Sequence, residues 1–126
     1  MQNLTVVVID DDASITDSFC EYLEILGLKV LGCGYNGKDA VELYQRCRPD
    51  LVFLDLMMPD YDGFYALERI RIIDPHSKII VITADLKNTT VKLLDELKPT
   101  RVLYKPYEPE QIMEIVNDLK SIDCVN

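Results

Sequence analysis

LVFLDLMMPDYDG (51–63) carries the change of pattern that decides the fold: four apolar residues, a carboxylate at Asp55, then Pro59 and the Asp62-Gly63 turn. Short runs rich in Val, Ile and Leu between turn residues read as strands buried on both faces, as in a parallel sheet. Other runs end the same way. VVVIDDD (6–12) closes on Asp10 and Asp11, KIIVITA (78–84) on Thr83, and RVLYKPY (101–107) on Lys105 and Pro106. Each run is followed by polar residues and then a helical pattern, so strand and helix alternate. In such a sheet the strand carboxyl ends share one edge, where open α/β folds bind ligands. Five polar residues far apart in sequence converge there.

The spacing predicts strands at about 4–9, 28–33, 51–54, 79–82 and 101–104. The first helix places Ile15, Phe19, Tyr22, Leu23 and Leu26 on one face and stops at Gly27. The second, after Asn36-Gly37, buries Ala40, Leu43, Tyr44 and Cys47 and stops at Pro49. The third turns Phe64, Leu67 and Ile70 inward and ends at Asp74-Pro75. The fourth, about 87–97, has Val91, Leu94 and Leu97 on one face and is closed by Pro99. The last has Pro109 in its first turn and a stripe of Ile112, Ile115, Val116, Leu119 and Ile122. Right-handed crossovers then give a doubly wound, flavodoxin-like α/β fold with a five-stranded parallel sheet and five helices. The strand order 2-1-3-4-5 known for that fold makes Asp10, Asp11 and Asp55 neighbours, with Thr83 and Lys105 next along the edge.

At 126 residues, without repeat, linker or low-complexity segment, the expectation is one domain over 1–126 with its core at about 4–122. No apolar stretch approaches the roughly 20 residues of a membrane span, and MQNLTVVV lacks a basic leader, so a cytoplasmic location with no membrane insertion is expected. A net charge of −9 argues against direct binding of nucleic acid, which needs clustered Lys and Arg. Cys20, Cys33, Cys47 and Cys124 form no CxxC pair, and the only histidine, His76, is remote from them, which argues against zinc. They read as reduced thiols, mostly filling the core, with Cys124 the most exposed.

Three packed carboxylates repel one another until a cation neutralises them. Mg²⁺ suits such a site, because it takes a few carboxylates while keeping waters that phosphate oxygens can replace. Lys105 adds a positive charge and Thr83 a hydroxyl, the surroundings phosphoryl transfer requires. A carboxylate can itself be the nucleophile and become an aspartyl phosphate, and Asp55 is central among these groups. Taken singly, the same residues have plain readings. Asp10 to Asp12 could be a solvated run opening a helix, with Asp12 its N-cap, and Lys105 a solvated lysine. Their joint placement is what favours chemistry.

Along nearly its whole length the chain resembles a receiver domain of the two-component response-regulator family, the group that includes chemotaxis regulators. The matching pieces are the acidic pair Asp10-Asp11, DLMMPDYDG at 55–63, Thr83-Ala84 and Lys105-Pro106, in that order. The resemblance implies that Asp55 accepts a phosphoryl group from a sensor histidine kinase or phosphotransfer protein. It implies Mg²⁺ bound by Asp11 directly, by Asp10 largely through water, by Asp55, and by the backbone carbonyl of Met57. It assigns the phosphoryl oxygens to Thr83 and Lys105, makes the Lys105–Pro106 bond cis, and gives a downstream protein target or an effector domain of the same regulator. Such a chain is no enzyme toward outside substrates; it catalyses its own phosphorylation and slowly hydrolyses the product.

There are departures from the family pattern. Val102 stands three before Lys105, where an aromatic rotamer switch is usual, and Tyr104 falls on the other strand face. Lys98-Pro99 replaces a frequent Gly-Ala and implies a stiffer end to the fourth helix, while Glu108 replaces an Asp cap. A phosphorylation-independent binding module is the alternative these changes leave open. An aspartate-nucleophile phosphatase of the haloacid dehalogenase type is disfavoured, because its second aspartate would fall at Met57.

Overall fold

The computed structural model describes residues 4–125, with side chains described as far as Lys120. Five strands alternate with five helices: β1 (Thr5–Ile9), α1 (Ala13–Ile25), β2 (Lys29–Gly34), α2 (Gly37–Cys47), β3 (Leu51–Asp55), α3 (Gly63–Ile73), β4 (Ile79–Thr83), α4 (Asn88–Leu97), β5 (Arg101–Tyr104) and α5 (Pro109–Val125). All pairings are parallel and the order is β2-β1-β3-β4-β5. The doubly wound architecture expected from the alternation is the one observed.

Alternate strand residues feed two separate cores. Val6, Val8, Phe53, Ile80 and Leu103 pack beneath α1 and α5 with Phe19, Leu23, Ile112 and Val116. Val7, Ile9, Val52, Leu54 and Val81 pack beneath the other helices with Leu43, Leu67, Ile70 and Leu94. A strand whose successive residues feed opposite cores has no polar face, which is why these runs are apolar throughout. Each such side chain, fully buried, contributes roughly 1.5–3 kcal/mol.

The helix starts obey capping chemistry. The Asp12 carboxylate accepts the N–H groups of Ser14 (3.0 Å) and Ile15 (3.2 Å), and that of Asp62 accepts the Tyr65 N–H (3.0 Å). The cap expected to be weak at Glu108 is reinforced: the Gln111 side-chain carbonyl accepts the Glu108 N–H at 2.8 Å. Lys98 ends α4 in the left-handed region (φ 50°), and the Arg71 guanidinium donates to its carbonyl at 2.9 Å. Arg71 also reaches Ser77 (3.0 Å) and Thr100 (3.3 Å), so that end is tied down by side-chain bonds that periodicity does not reveal.

Three inward assignments need correction. Ile15 is 46 % exposed, lining an open groove between α1 and α5 rather than the closed core; Thr16 takes the inward place and is fully buried. Phe64 and Cys47 are only partly buried, at the margin of their core. Nor do the cysteines fill the core: Cys20, Cys33 and Cys47 are free thiols, all half-buried. The assignments for the Ile122 side chain and for Cys124 lie outside the described residues.

Gly63 fixes the return of the loop after β3. A Cβ there would lie 2.6 Å from the Asp55 carbonyl oxygen and 2.7 Å from the Leu56 Cα, both backbone atoms that cannot swing aside. Gly63→Ala should therefore destabilise the fold by about 3 kcal/mol, measured as a lower midpoint in urea unfolding.

Candidate functional site

The carboxyl edge of the sheet collects charge from three strand ends. Asp10 follows β1, Asp55 closes β3 and Lys105 follows β5, so parallel pairing brings them to one level. Oxygens of Asp10, Asp11 and Asp55 lie within 4.8 Å of one another. Among the described residues this is the only cluster of three or more side chains able to hold a metal ion. Asp10 and Asp55 are buried while Asp11 is exposed, so the cluster opens to solvent on one side. The Lys105 ammonium stands 3.9 Å from an Asp55 oxygen.

The surroundings disfavour charge on the two buried carboxylates. Burial pushes Asp55 up to about 6, and Asp10 and Asp11 add to the rise, while the Lys105 charge and the Met57 backbone N–H oppose it. Asp10 is also raised, chiefly by burial, although the Asp12 N–H donates to its carboxylate at 2.9 Å. Two buried carboxylates and an exposed one, with one ammonium between them, favour a hard divalent cation. The donor set is all oxygen, as Mg²⁺ prefers.

The backbone of the acidic loop is held from both sides. The Asp10 N–H donates to the Gly34 carbonyl (3.1 Å), and the Thr16 hydroxyl contacts the carbonyls of Asp10 (3.3 Å) and Asp12 (2.9 Å). Thr16 is a supporting residue that the apolar-stripe reading of α1 misses, since it searches for apolar residues only.

Thr83 ends β4 and is fully buried. Its hydroxyl oxygen accepts the Asp85 N–H at 3.0 Å. Asp85 in turn accepts the Lys87 N–H (2.9 Å) and the Thr90 hydroxyl (2.8 Å), linking the end of β4 to the first turn of α4. That link replaces a side-chain cap at Lys87, which makes none. Met57 is 57 % exposed, and only its main chain faces the site, through the N–H that bonds Asp55. Met58, by contrast, is buried. The Lys105–Pro106 bond is cis, as the resemblance implied. Val102 is partly buried and Tyr104 exposed, so neither occupies the place of an inward aromatic beside Thr83. Beside the acidic cluster an apolar groove of about 440 Å³ runs between α1 and α5, lined by Ile15, Phe19, Tyr22, Tyr107 and Ile112.

A protein-family model described as the response regulator receiver domain matches residues 6–117. Among curated proteins, the chemotaxis protein CheY of Thermotoga maritima is 32 % identical over 112 residues, covering 89 % of this chain and 93 % of its own. Protein CcdB of Bacillus subtilis is 34 % identical over the same shares. Among solved structures, the CheX–CheY complex with BeF3 and Mg²⁺ from Borrelia burgdorferi aligns with a TM-score of 0.86 at 23 % identity, over 94 % of this chain and 90 % of that one.

Proposed function

The chain belongs to the response regulator receiver domain family, and from that premise we propose that it accepts a phosphoryl group on Asp55 in a Mg²⁺-dependent reaction. The observation that carries this reading is the joint placement of three carboxylates within 4.8 Å and the Lys105 ammonium 3.9 Å from Asp55. Asp10, Asp11 and Asp55, with the backbone carbonyl of Met57, would hold Mg²⁺, and the ion supplies neutralising charge when bound. An Asp55 oxygen attacks the phosphorus, the bond to the donor breaks, and the donor leaves with its electron pair. Lys105 and Thr83 stabilise the phosphoryl oxygens. The same site slowly hydrolyses the acyl phosphate and turns over no external substrate. In the cytoplasm the donor would be a sensor histidine kinase or phosphotransfer protein, seated in the groove between α1 and α5. The output goes to a downstream protein target.

A phosphoryl group on Asp55 needs a hydrogen bond from the Thr83 hydroxyl, and Thr83 is bonded to Asp85. The Asp85–Thr90 bond then carries the movement into α4, a route that requires no aromatic residue at Val102. Asp85→Ala should leave beryllofluoride binding intact but remove most of the amide shift changes at residues 88–97, read by two-dimensional NMR. Asp85→Asn, which keeps an acceptor oxygen, should preserve them.

Incubation with acetyl phosphate, with and without Mg²⁺, followed by intact-mass analysis, tests the proposal. A gain of one phosphoryl group only with Mg²⁺ supports it. If neither phosphoryl gain nor beryllofluoride binding occurs, a phosphorylation-independent binding module becomes the better reading, which Val102 favours.

A further inference from the structure

A pair of free thiols in contact lies outside the acidic edge. Cys20 on α1 and Cys33 on β2 have their sulfurs 3.0 Å apart, roughly 1 Å beyond the length of a disulfide bond. Both thiols are half-buried and free. Both pack against the core beneath α1, whereas Cys47 packs against the core on the opposite face of the sheet, so among the described residues these two thiols have only each other within reach. Among the described residues no cluster of metal-ligating side chains includes them, which leaves redox chemistry rather than a metal.

We propose that Cys20 and Cys33 form an oxidisable dithiol, a modification site that takes a peroxide as oxidant and closes to a reversible disulfide fastening α1 to β2. One of the two sulfurs attacks one peroxide oxygen; the O–O bond breaks, giving a sulfenic acid on that cysteine and, from hydrogen peroxide, one water. The other sulfur then attacks the sulfenic sulfur. The S–O bond breaks, and the departing hydroxide takes the thiol proton and leaves as a second water. Two thiols are oxidised to one disulfide and one peroxide is reduced. The contact is symmetric, so either sulfur can react first; burial and the adjoining thiol push Cys20 up to about 12, which keeps its thiol protonated until an oxidant arrives.

The crosslink bears on the acidic edge. Gly34, whose carbonyl receives the Asp10 N–H, directly follows Cys33. Thr16, whose hydroxyl contacts the Asp10 carbonyl, stands one turn before Cys20. The disulfide would therefore join the two elements that hold the Asp10 backbone.

The test is peroxide treatment of the intact protein, alkylation of the remaining thiols, and peptide mapping without reductant. The expected result is a Cys20–Cys33 crosslinked peptide and a Tm higher by about 5 °C, both reversed by dithiothreitol. Cys20→Ser should leave a sulfenic acid on Cys33 that dimedone traps. Full alkylation of both residues after peroxide, or crosslinks only through Cys47 or Cys124, would overturn the proposal. The mapping is made on the wild-type chain, so it stands even if a variant fails to fold.

Discussion

Asp55→Asn should take up no phosphoryl group from acetyl phosphate in Mg²⁺, while the wild-type chain gains one. The substitution keeps the shape of the side chain but replaces the attacking carboxylate oxygen with a poor nucleophile. It should also make the metal-free protein more stable at neutral pH. Burial raises Asp55 to about 6, above the roughly 4 of an unfolded chain, so the folded state holds this proton more tightly. The stability this group contributes is complete below pH ~4 and is lost as pH rises through about 6. The loss amounts to about 2–3 kcal/mol by pH 7. Urea unfolding in chelator across that range should show a decline in the wild type that is smaller by this amount in the variant. Mg²⁺ should restore much of the stability lost, since it favours the ionised cluster.

Asp11→Ala should have the next largest effect, on the metal. Asp11 is the exposed member of the cluster, so its removal disturbs neither core, and no other carboxylate of the cluster faces solvent as it does. Loss of a partner outside the ligand shell typically costs 10–100-fold in metal affinity, so loss of a ligand should cost at least about 100-fold. Calorimetric titration with Mg²⁺ reads this directly, and unchanged affinity would remove Asp11 from the site. Phosphoryl uptake should fall in parallel, because the ion neutralises the charge that Asp55 and the incoming phosphoryl group share.

Much of this was legible in the residues because strand runs and their terminal polar residues obey one rule. A parallel strand buried on both faces must be apolar throughout, so Asp10, Asp55 and Thr83 mark where each strand leaves the core. What periodicity missed was polar and local. Thr16 occupies an inward helical place as a hydroxyl serving backbone carbonyls. Asp85 and Thr90 have no spacing signal, since their bonds depend on how the chain turns between β4 and α4. Arg71 reaches across to the end of α4, a contact set by tertiary packing alone. Ile15 misled for the converse reason: its helical phase is right, but the groove between α1 and α5 leaves it uncovered. The contact between Cys20 and Cys33 required the placement of α1 over β2, which spacing leaves undefined.

The acceptor itself is most directly tested by chemical mapping. The protein is phosphorylated with acetyl phosphate and Mg²⁺, reduced with borohydride to convert an acyl phosphate to an alcohol, digested, and sequenced by mass spectrometry. The prediction is a single reduced side chain at position 55, absent when Mg²⁺ is withheld. Reduction at Asp10 or Asp11, or a stable phosphate on a hydroxyl residue, would contradict the assignment of Asp55 as the nucleophile.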